Sequence, residues 1–283
     1  MTKKIIALVD HSIYSKSVCD HAAWVAERTG YAVELMHVLG RRETGHGGDL
    51  SGQIALGARS TLLNELSELD EQRAKLSVQR GRAILEDAKA ILDAAGVSAS
   101  MHLRHGDLVE AIIEKEADAE MILVGKRGEA ADFAKGHLGS NLERVMRVST
   151  KPLFVASRAF KPIEKVLIAY DGSPSAARAV DYVARQTLHA GLSVKVVMVG
   201  TPSTDVSKRL DDARAMLAAG GHKAATEHLY GHPEEVLERL VEEGPFDHLV
   251  MGASGHSRLR ALFVGSTTLA LIRACKVPIL LVR

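Results

Sequence analysis

The sequence has few cysteines and no long apolar run. Only Cys19 and Cys275 occur among the 283 residues, and they form no Cys-x-x-Cys pair. This count favours a reducing cytoplasm, with both thiols as small apolar helix residues. The longest apolar runs, such as 121–124 and 278–282, have the length of a strand. A membrane span needs roughly 20 apolar residues, so the sequence predicts no spanning helix.

Excess charge of either sign is also absent. The formal net charge is +1, which gives no electrostatic basis for nucleic acid or an anionic membrane as the main partner. The beginning of the chain lacks the apolar core of a signal peptide, which agrees with a cytoplasmic location. The 13 histidines form no His-Glu-x-x-His or Cys/His cluster. We therefore predict no metal site, apart from Mg²⁺ that could accompany a nucleotide.

The chain repeats one pattern twice. Residues 4–12 match residues 165–173, and residues 151–156 match residues 277–282, with glycines at corresponding places in between. The simplest explanation is duplication of a whole domain. We place the domains at 1–158 and 163–283.

Each half alternates short apolar, β-branched runs with helical periods. Near-continuous apolar strands such as 5–9 indicate burial on both faces. The alternation predicts an α/β fold made of two tandem doubly wound domains, each with a five-stranded parallel sheet. The serine–proline pair at 173–174 predicts a helix start, and Gly30, Gly96 and Gly191 predict helix ends.

The first half contains roughly thirty-six additional residues between its second and third strands, an estimate from aligning the two copies. Residues 41–57 are glycine-rich and polar, which predicts a loop. Leucines and other apolar residues from Leu62 to Leu92 then follow helical spacing, which predicts one long amphipathic helix, with a break near Gly81 left open. This helix either covers the sheet or forms an interaction arm.

A glycine motif follows the fourth predicted strand of each half. In the second half it is Gly252-x-x-Gly255, nine residues, then Gly265-Ser266. In an open parallel sheet, ligands bind beyond the carboxyl ends of the strands, where the glycines would meet the aspartate that ends strand one. The glycines allow close backbone approach, and the following helix start offers N–H groups to phosphate.

At these residues the chain resembles the universal stress protein family in its tandem two-domain form. Its ATP-binding members carry G-2x-G-9x-G-(S/T), which the second half matches residue for residue. The resemblance implies an adenine nucleotide α-hydrolase-like fold with strand order 3-2-1-4-5 in each half, and pairing of the halves through their fifth strands.

The resemblance also implies roles in ATP binding. Asp171 would meet the adenosine, Val199 the adenine, Gly252 and Gly255 the ribose and phosphates, and Gly265 and Ser266 the phosphate tail. By the same mapping, the candidates of the first half are Asp10, Val38, Gly125, Gly128, Gly139 and Ser140.

The first half departs from the family pattern in two ways. His11 replaces the glycine after the aspartate, and ten residues separate Gly128 from Gly139. The second site is therefore expected to bind more tightly. Lys126 and Arg127 either add positive charge beside the phosphates or face solvent.

We expect an ATP-binding regulator of the stress response that acts on unknown protein partners, with further homodimerisation possible. The alternatives are a slow ATPase or phosphotransferase, and a scaffold with one or both sites vestigial. Neither half contains a Walker A sequence.

Overall fold

The protein was analysed as a computed structural model, which describes residues 3–40, 56–128, 139–202, 204–253 and 265–283. For residues 56–64, 140 and 204 it describes the backbone alone. The polar loop predicted at 41–57 lies mostly outside the described residues.

Strands and helices alternate along the described chain. The strands are β1 (Lys4–Leu8), β2 (Ala32–Leu39), β3 (Ala99–His105), β4 (Ala119–Gly125), β5 (Leu153–Ala156), β6 (Lys165–Ala169), β7 (Ser193–Val199), β8 (Ala224–Leu229), β9 (His248–Gly252) and β10 (Ile279–Val282). The helices are α1 (Ser15–Thr29), α2 (Leu56–Ala94), α3 (Leu108–Lys115), α4 (Ser140–Val148), α5 (Pro174–Arg185), α6 (Thr204–Ala219), α7 (Pro233–Glu243) and α8 (Ser266–Ala274).

The ten strands form one continuous sheet. Its order is β3-β2-β1-β4-β5-β10-β9-β6-β7-β8, so each half has the expected order 3-2-1-4-5. Pairing is parallel within each half and antiparallel where β5 meets β10, with Phe154 opposite Leu280. Both the doubly wound fold and the junction through the fifth strands are thus confirmed.

Helices cover both faces of this sheet. Buried side chains of α1, α2, α5 and α6 pack on one face, and those of α3, α4, α7 and α8 pack on the other. Strand residues such as Ile5, Ile6 and Leu123 are fully buried because each face has a helical layer. The proposed limits 1–158 and 163–283 fall in the connection between β5 and β6 and stay a prediction.

Local sequence signals explain where several helices begin and end. Ser173 accepts a hydrogen bond from the Ala176 amide at 3.2 Å, with Pro174 at the first helical position. The carboxylate of Asp107 caps α3 by accepting from the Val109 amide at 2.8 Å. Gly30 ends α1 with φ of 72°, a left-handed conformation that costs glycine little.

The long helix α2 is continuous, so the break near Gly81 that the sequence left open does not occur. Gly81 is instead a contact with the sheet, since a Cβ there would lie 2.7 Å from Leu103 Cδ1 and 3.1 Å from His37 Cδ2. After Gly81 the helix covers the sheet with Ile84, Leu85 and other buried side chains. Within the described ranges, no helix combines the length and apolarity needed to cross a bilayer.

Candidate functional site

The candidate site of the first half forms where β1 and β4 end side by side. These strands are parallel neighbours, with Ala7 opposite Leu123, and the chain leaves them towards opposite faces of the sheet. Such a divergence leaves a crevice beyond the carboxyl ends of the strands. A cavity of about 400 Å³ occupies this crevice, which is within the size range of small-molecule sites.

Five of the six sequence candidates of the first half line this cavity: Asp10, Val38, Gly125, Gly128 and Gly139. The sixth, Ser140, begins α4 next to the cavity, and its side chain lies outside the described residues. The cavity wall also contains residues that the sequence did not single out as ligand contacts, among them Tyr14, His37, Leu108 and Asn141.

Asp10 is fixed by the turn that starts α1. Its Oδ1 accepts from the Ser12 amide at 3.0 Å and from the Ser15 hydroxyl at 3.2 Å. Its Oδ2 faces Gly128, where a Cβ would approach to 3.0 Å. This geometry holds a carboxylate beside the glycine loop, at a position able to accept hydrogen bonds from a hydroxyl-bearing ligand.

The glycines of the first half are required by close backbone packing. A Cβ on Gly125 would lie 2.7 Å from Tyr14 Cβ, so any side chain would push the α1 start away from β4. A Cβ on Gly139 would lie 3.2 Å from the Gly128 amide nitrogen. The Gly139 amide donates to the Lys126 carbonyl at 3.4 Å. The two ends of the 129–138 segment are therefore held together at the mouth of the cavity.

The edge of the cavity offers donors suited to an anion. Gly139 is the N-cap of α4, and because glycine has no side chain it cannot accept a hydrogen bond from the first-turn amides of that helix in the way a serine or aspartate would. Arg127 lines the cavity, and its buried Nε has no hydrogen-bond partner among the described residues. A buried guanidinium N–H without a partner is costly, and an anionic ligand would satisfy it.

The two basic residues of the loop differ in direction. Lys126 turns away from the cavity and donates to carbonyl groups at the end of α8. Burial lowers the pKa of its ammonium group to about 8, so the group remains largely protonated at neutral pH. Of these two residues, Arg127 is the one that adds positive charge to the cavity wall.

His37 has a defined tautomer at the end of β2. Its Nδ1 lies 2.8 Å from the Val9 carbonyl oxygen, and since a carbonyl only accepts, Nδ1 carries the proton. In the neutral ring Nε2 is then an acceptor. Because β2 pairs with β1, the register Leu8 opposite Met36 brings this ring into the cavity wall.

The second half places its candidates at equivalent positions. Asp171 follows β6, Val199 ends β7, Gly252 ends β9, and Gly265 and Ser266 begin α8. Asp171 Oδ1 accepts from the Ser173 amide at 2.8 Å. A Cβ on Gly252 would lie 2.6 Å from the Ser175 carbonyl carbon. Gly255 lies outside the described residues, as does the whole nine-residue spacer.

The loop that follows Asp171 differs from its counterpart in the first half. Gly172 has φ of 74°, and a Cβ there would lie 2.6 Å from Nη1 of Arg209 on α6. The Arg209 side chain therefore lies over the loop that follows Asp171. In the first half Ile84, on the packed part of α2, occupies the corresponding helix position and is buried.

Comparison with known families explains this duplicated arrangement. The model of the universal stress protein family matches the chain twice, over residues 1–157 and 162–283. The chain belongs to the universal stress protein family.

Individual members support this assignment. A universal stress protein of Synechocystis sp. is 37% identical over 287 residues, which covers 99% of this chain and 100% of the relative. One from Mycobacterium tuberculosis is 28% identical over 204 residues, 62% of this chain and 65% of the relative. The crystal structure of a universal stress protein from Archaeoglobus fulgidus has a TM-score of 0.68 at 22% identity, over 99% of this chain and 98% of the other.

The family model matches both halves of the chain, so each half has the family's fold. Within the described ranges, no three histidine, cysteine, aspartate or glutamate side chains come together as a metal-ligand set. The other residues that line the cavity of the first half are identified by their position in the fold rather than by their residue type. Tyr14 and Asn141 carry no motif of their own, and the helix starts that bring them to the cavity are their only signal.

Proposed function

We propose that this universal stress protein binds an adenine nucleotide, ATP by the family resemblance, in the cavity of the first half. The observation that carries the proposal is the convergence of Asp10, the glycine loop and the uncapped start of α4 on one cavity of about 400 Å³. The volume suits a nucleotide. The arrangement offers a carboxylate at one side and N–H groups that can donate hydrogen bonds to an anion at the other.

The residues present fit such a ligand. Val38 and the apolar side chains Met36, Leu108 and Leu142 would pack against the base, while Asp10 would accept from a ribose hydroxyl. Arg127 and the first-turn amides of α4 would hold the phosphates. Mg²⁺, when bound with the nucleotide, would neutralise part of the phosphate charge.

The second half would supply a second site, built from Asp171, Val199, Gly252, Gly255, Gly265 and Ser266. Its intact spacing favours tighter binding there, and we propose that this second site binds more tightly than the first.

Calorimetric titration of nucleotide-stripped protein with ATP and Mg²⁺ tests binding. We expect Arg127→Met to weaken binding at the first-half site by about 10- to 100-fold, the usual worth of a hydrogen bond from a charged donor. The matched control is Arg158→Met, at an exposed position after β5. Wild-type protein that shows no affinity at millimolar ATP would refute the proposal.

Two glycine variants test the ordering. Gly265→Val should abolish the tighter binding step. Gly139→Val should remove only the weaker step, because a larger side chain collides with the Gly128 backbone. The opposite assignment would make the first site the tighter one.

We further propose that nucleotide occupancy serves regulation in the stress response, in the cytoplasm and through protein partners. A slow ATPase or phosphotransferase remains the second candidate. Steady-state release of phosphate separates the two, and we expect turnover too slow for an efficient enzyme. Efficient release that is lost in Gly139→Val would favour the enzyme.

A further inference from the structure

The first 25 residues of α2 extend beyond the body of the fold. We call residues 56–80 the α2 arm. At 1.5 Å per residue the arm is about 37 Å long. Gly81, which packs against His37 and Leu39 at the carboxyl end of β2, marks the point where the helix meets the sheet. The arm therefore continues past the edge at which the cavity of the first half opens.

Two leucines of the arm are exposed on one stripe. The side chain of Leu69 is 49% exposed and that of Leu76 is 64% exposed. They are seven residues apart, so they lie about 20° apart around the helix axis. Gly81 lies about 140° around from Leu76, so the stripe does not belong to the face that packs on the sheet. The two leucines thus offer an apolar stripe, on the side of the helix away from the sheet, that a partner helix could cover.

Charge is segregated along the same arm. Residues 65–71 carry Glu65, Glu68, Asp70 and Glu71, while residues 73–80 carry Arg73, Lys75 and Arg80. Some of these charges also pair within the helix, Glu71 with Lys75 at 2.7 Å and Asp70 with Arg73 at 3.9 Å. Residues 65–80 of the arm nevertheless consist of an acidic segment followed by a basic one.

The stripe is self-complementary about its midpoint. Leu69 and Leu76 are equally distant from the point between Gln72 and Arg73, and so are Glu65 and Arg80. In an antiparallel pair related by a two-fold axis at that point, Leu69 faces the partner's Leu76, and Glu65 faces the partner's Arg80. An isologous contact of this kind needs one patch that fits itself.

We propose that the α2 arm is a homodimerisation surface, which pairs antiparallel with the α2 arm of a second copy of this chain. Four leucines would be buried at its centre, and the acidic segment of each copy would face the basic segment of the other. The surface is separate from the β5–β10 junction, which lies within one chain. The proposal is independent of nucleotide binding.

Sedimentation velocity from about 1 to 200 µM tests the proposal, a range suited to a small interface of modest affinity. We expect a concentration-dependent dimer that weakens as salt screens the charges. Leu69→Glu and Leu76→Glu should each weaken association at least tenfold. Ile113→Glu, at a 55% exposed apolar position of α3, should leave it unchanged. Thermal melts of each variant confirm that the fold is intact.

A charge exchange provides the sharper test. Glu65→Lys and Arg80→Glu should each weaken the dimer, and the double variant should restore it to within about threefold. Residues 65 and 80 are about 22 Å apart along one helix, so restoration requires contact between copies. Protein that stays monomeric at every concentration overturns the proposal. So does a dimer that is insensitive to both leucine variants, or single charge variants that the double variant does not rescue.

Discussion

The Nζ of Lys126 lies 2.6 Å from the carbonyl oxygen of Arg273, although the two residues are 147 positions apart. The same ammonium group lies 2.9 Å from the Cys275 carbonyl oxygen. The glycine loop of the first half thus satisfies carbonyls at the end of α8, whose beginning carries the glycine and serine of the second site. The corresponding residue of the second half is Ala253, which is buried and has no such group.

Lys126→Met should therefore weaken the junction between the halves. We expect the free energy of unfolding to fall by about 1–2 kcal/mol, because a charged donor to carbonyl groups is lost at a partly exposed position. Urea denaturation at pH 7 measures the change. Lys151→Met is the control, at a half-buried lysine whose Nζ lies 3.5 Å from the Ala117 carbonyl oxygen. Equal losses in both variants would contradict the role of the contact.

Gly125→Ala should damage the first site from within. The added Cβ would lie 2.7 Å from Tyr14 Cβ, so β4 and the start of α1 must separate. Overpacking of this kind costs typically 1–3 kcal/mol. We also expect weaker nucleotide binding, measured by the same titration, because Tyr14 lines the cavity.

Gly40→Ala provides the comparison for this variant. Gly40 follows β2, and a Cβ there meets no atom within 4 Å. Its stability and binding should match those of the wild type. If Gly125→Ala behaved in the same way, close packing would not explain why glycine ends β4.

Sequence patterns predicted the elements because burial dictates them. Apolar runs such as residues 121–124 are covered on both faces, and the predicted helix-ending glycines Gly30, Gly96 and Gly191 have left-handed backbones. The pairing of β5 with β10 came with the family resemblance, since four-residue strands carry no signal of their partner.

The details of the site depend on three-dimensional proximity. In the sequence Gly81 suggested a helix break. In the structure glycine is needed there because a Cβ would lie 2.7 Å from Leu103 Cδ1. The Lys126 side chain points to the end of α8 in the other half, and no local sequence pattern encodes that contact. The position of Arg209 beside Gly172 likewise joins two elements distant in sequence.

Three buried histidines near the junction should make the protein acid-sensitive. His248 stacks on Phe154 at 5.2 Å and on His189 at 5.5 Å between ring centroids, and His21 lies 5.3 Å from Phe154. Burial lowers the pKa of His21 to about 4 and that of His248 to about 3. Burial, followed by the nearby His248, also lowers the pKa of His189 well below its usual value.

The sign of the pH dependence follows from these lowered pKa values. Between about pH 6.5 and 4 the unfolded chain binds protons that the folded state does not, so the free energy of unfolding falls as the pH falls. Each such histidine adds up to about 1.4 kcal/mol per pH unit to the slope. Arg28, which donates to the Leu188 and Ala190 carbonyls beside His189, adds to the cost of a further positive charge.

His189→Leu should therefore stabilise the protein most at low pH. Neither ring nitrogen of His189 has a hydrogen-bond partner among the described residues, so the variant loses no such bond and removes two buried polar atoms. Urea denaturation at pH 7.5, 6 and 5 should show a slope smaller by up to about 1.4 kcal/mol per pH unit than that of the wild type. His105→Leu, at an exposed position of β3, should leave the slope unchanged. A His189→Leu slope equal to that of the wild type would mean that protonation of this cluster does not limit acid stability.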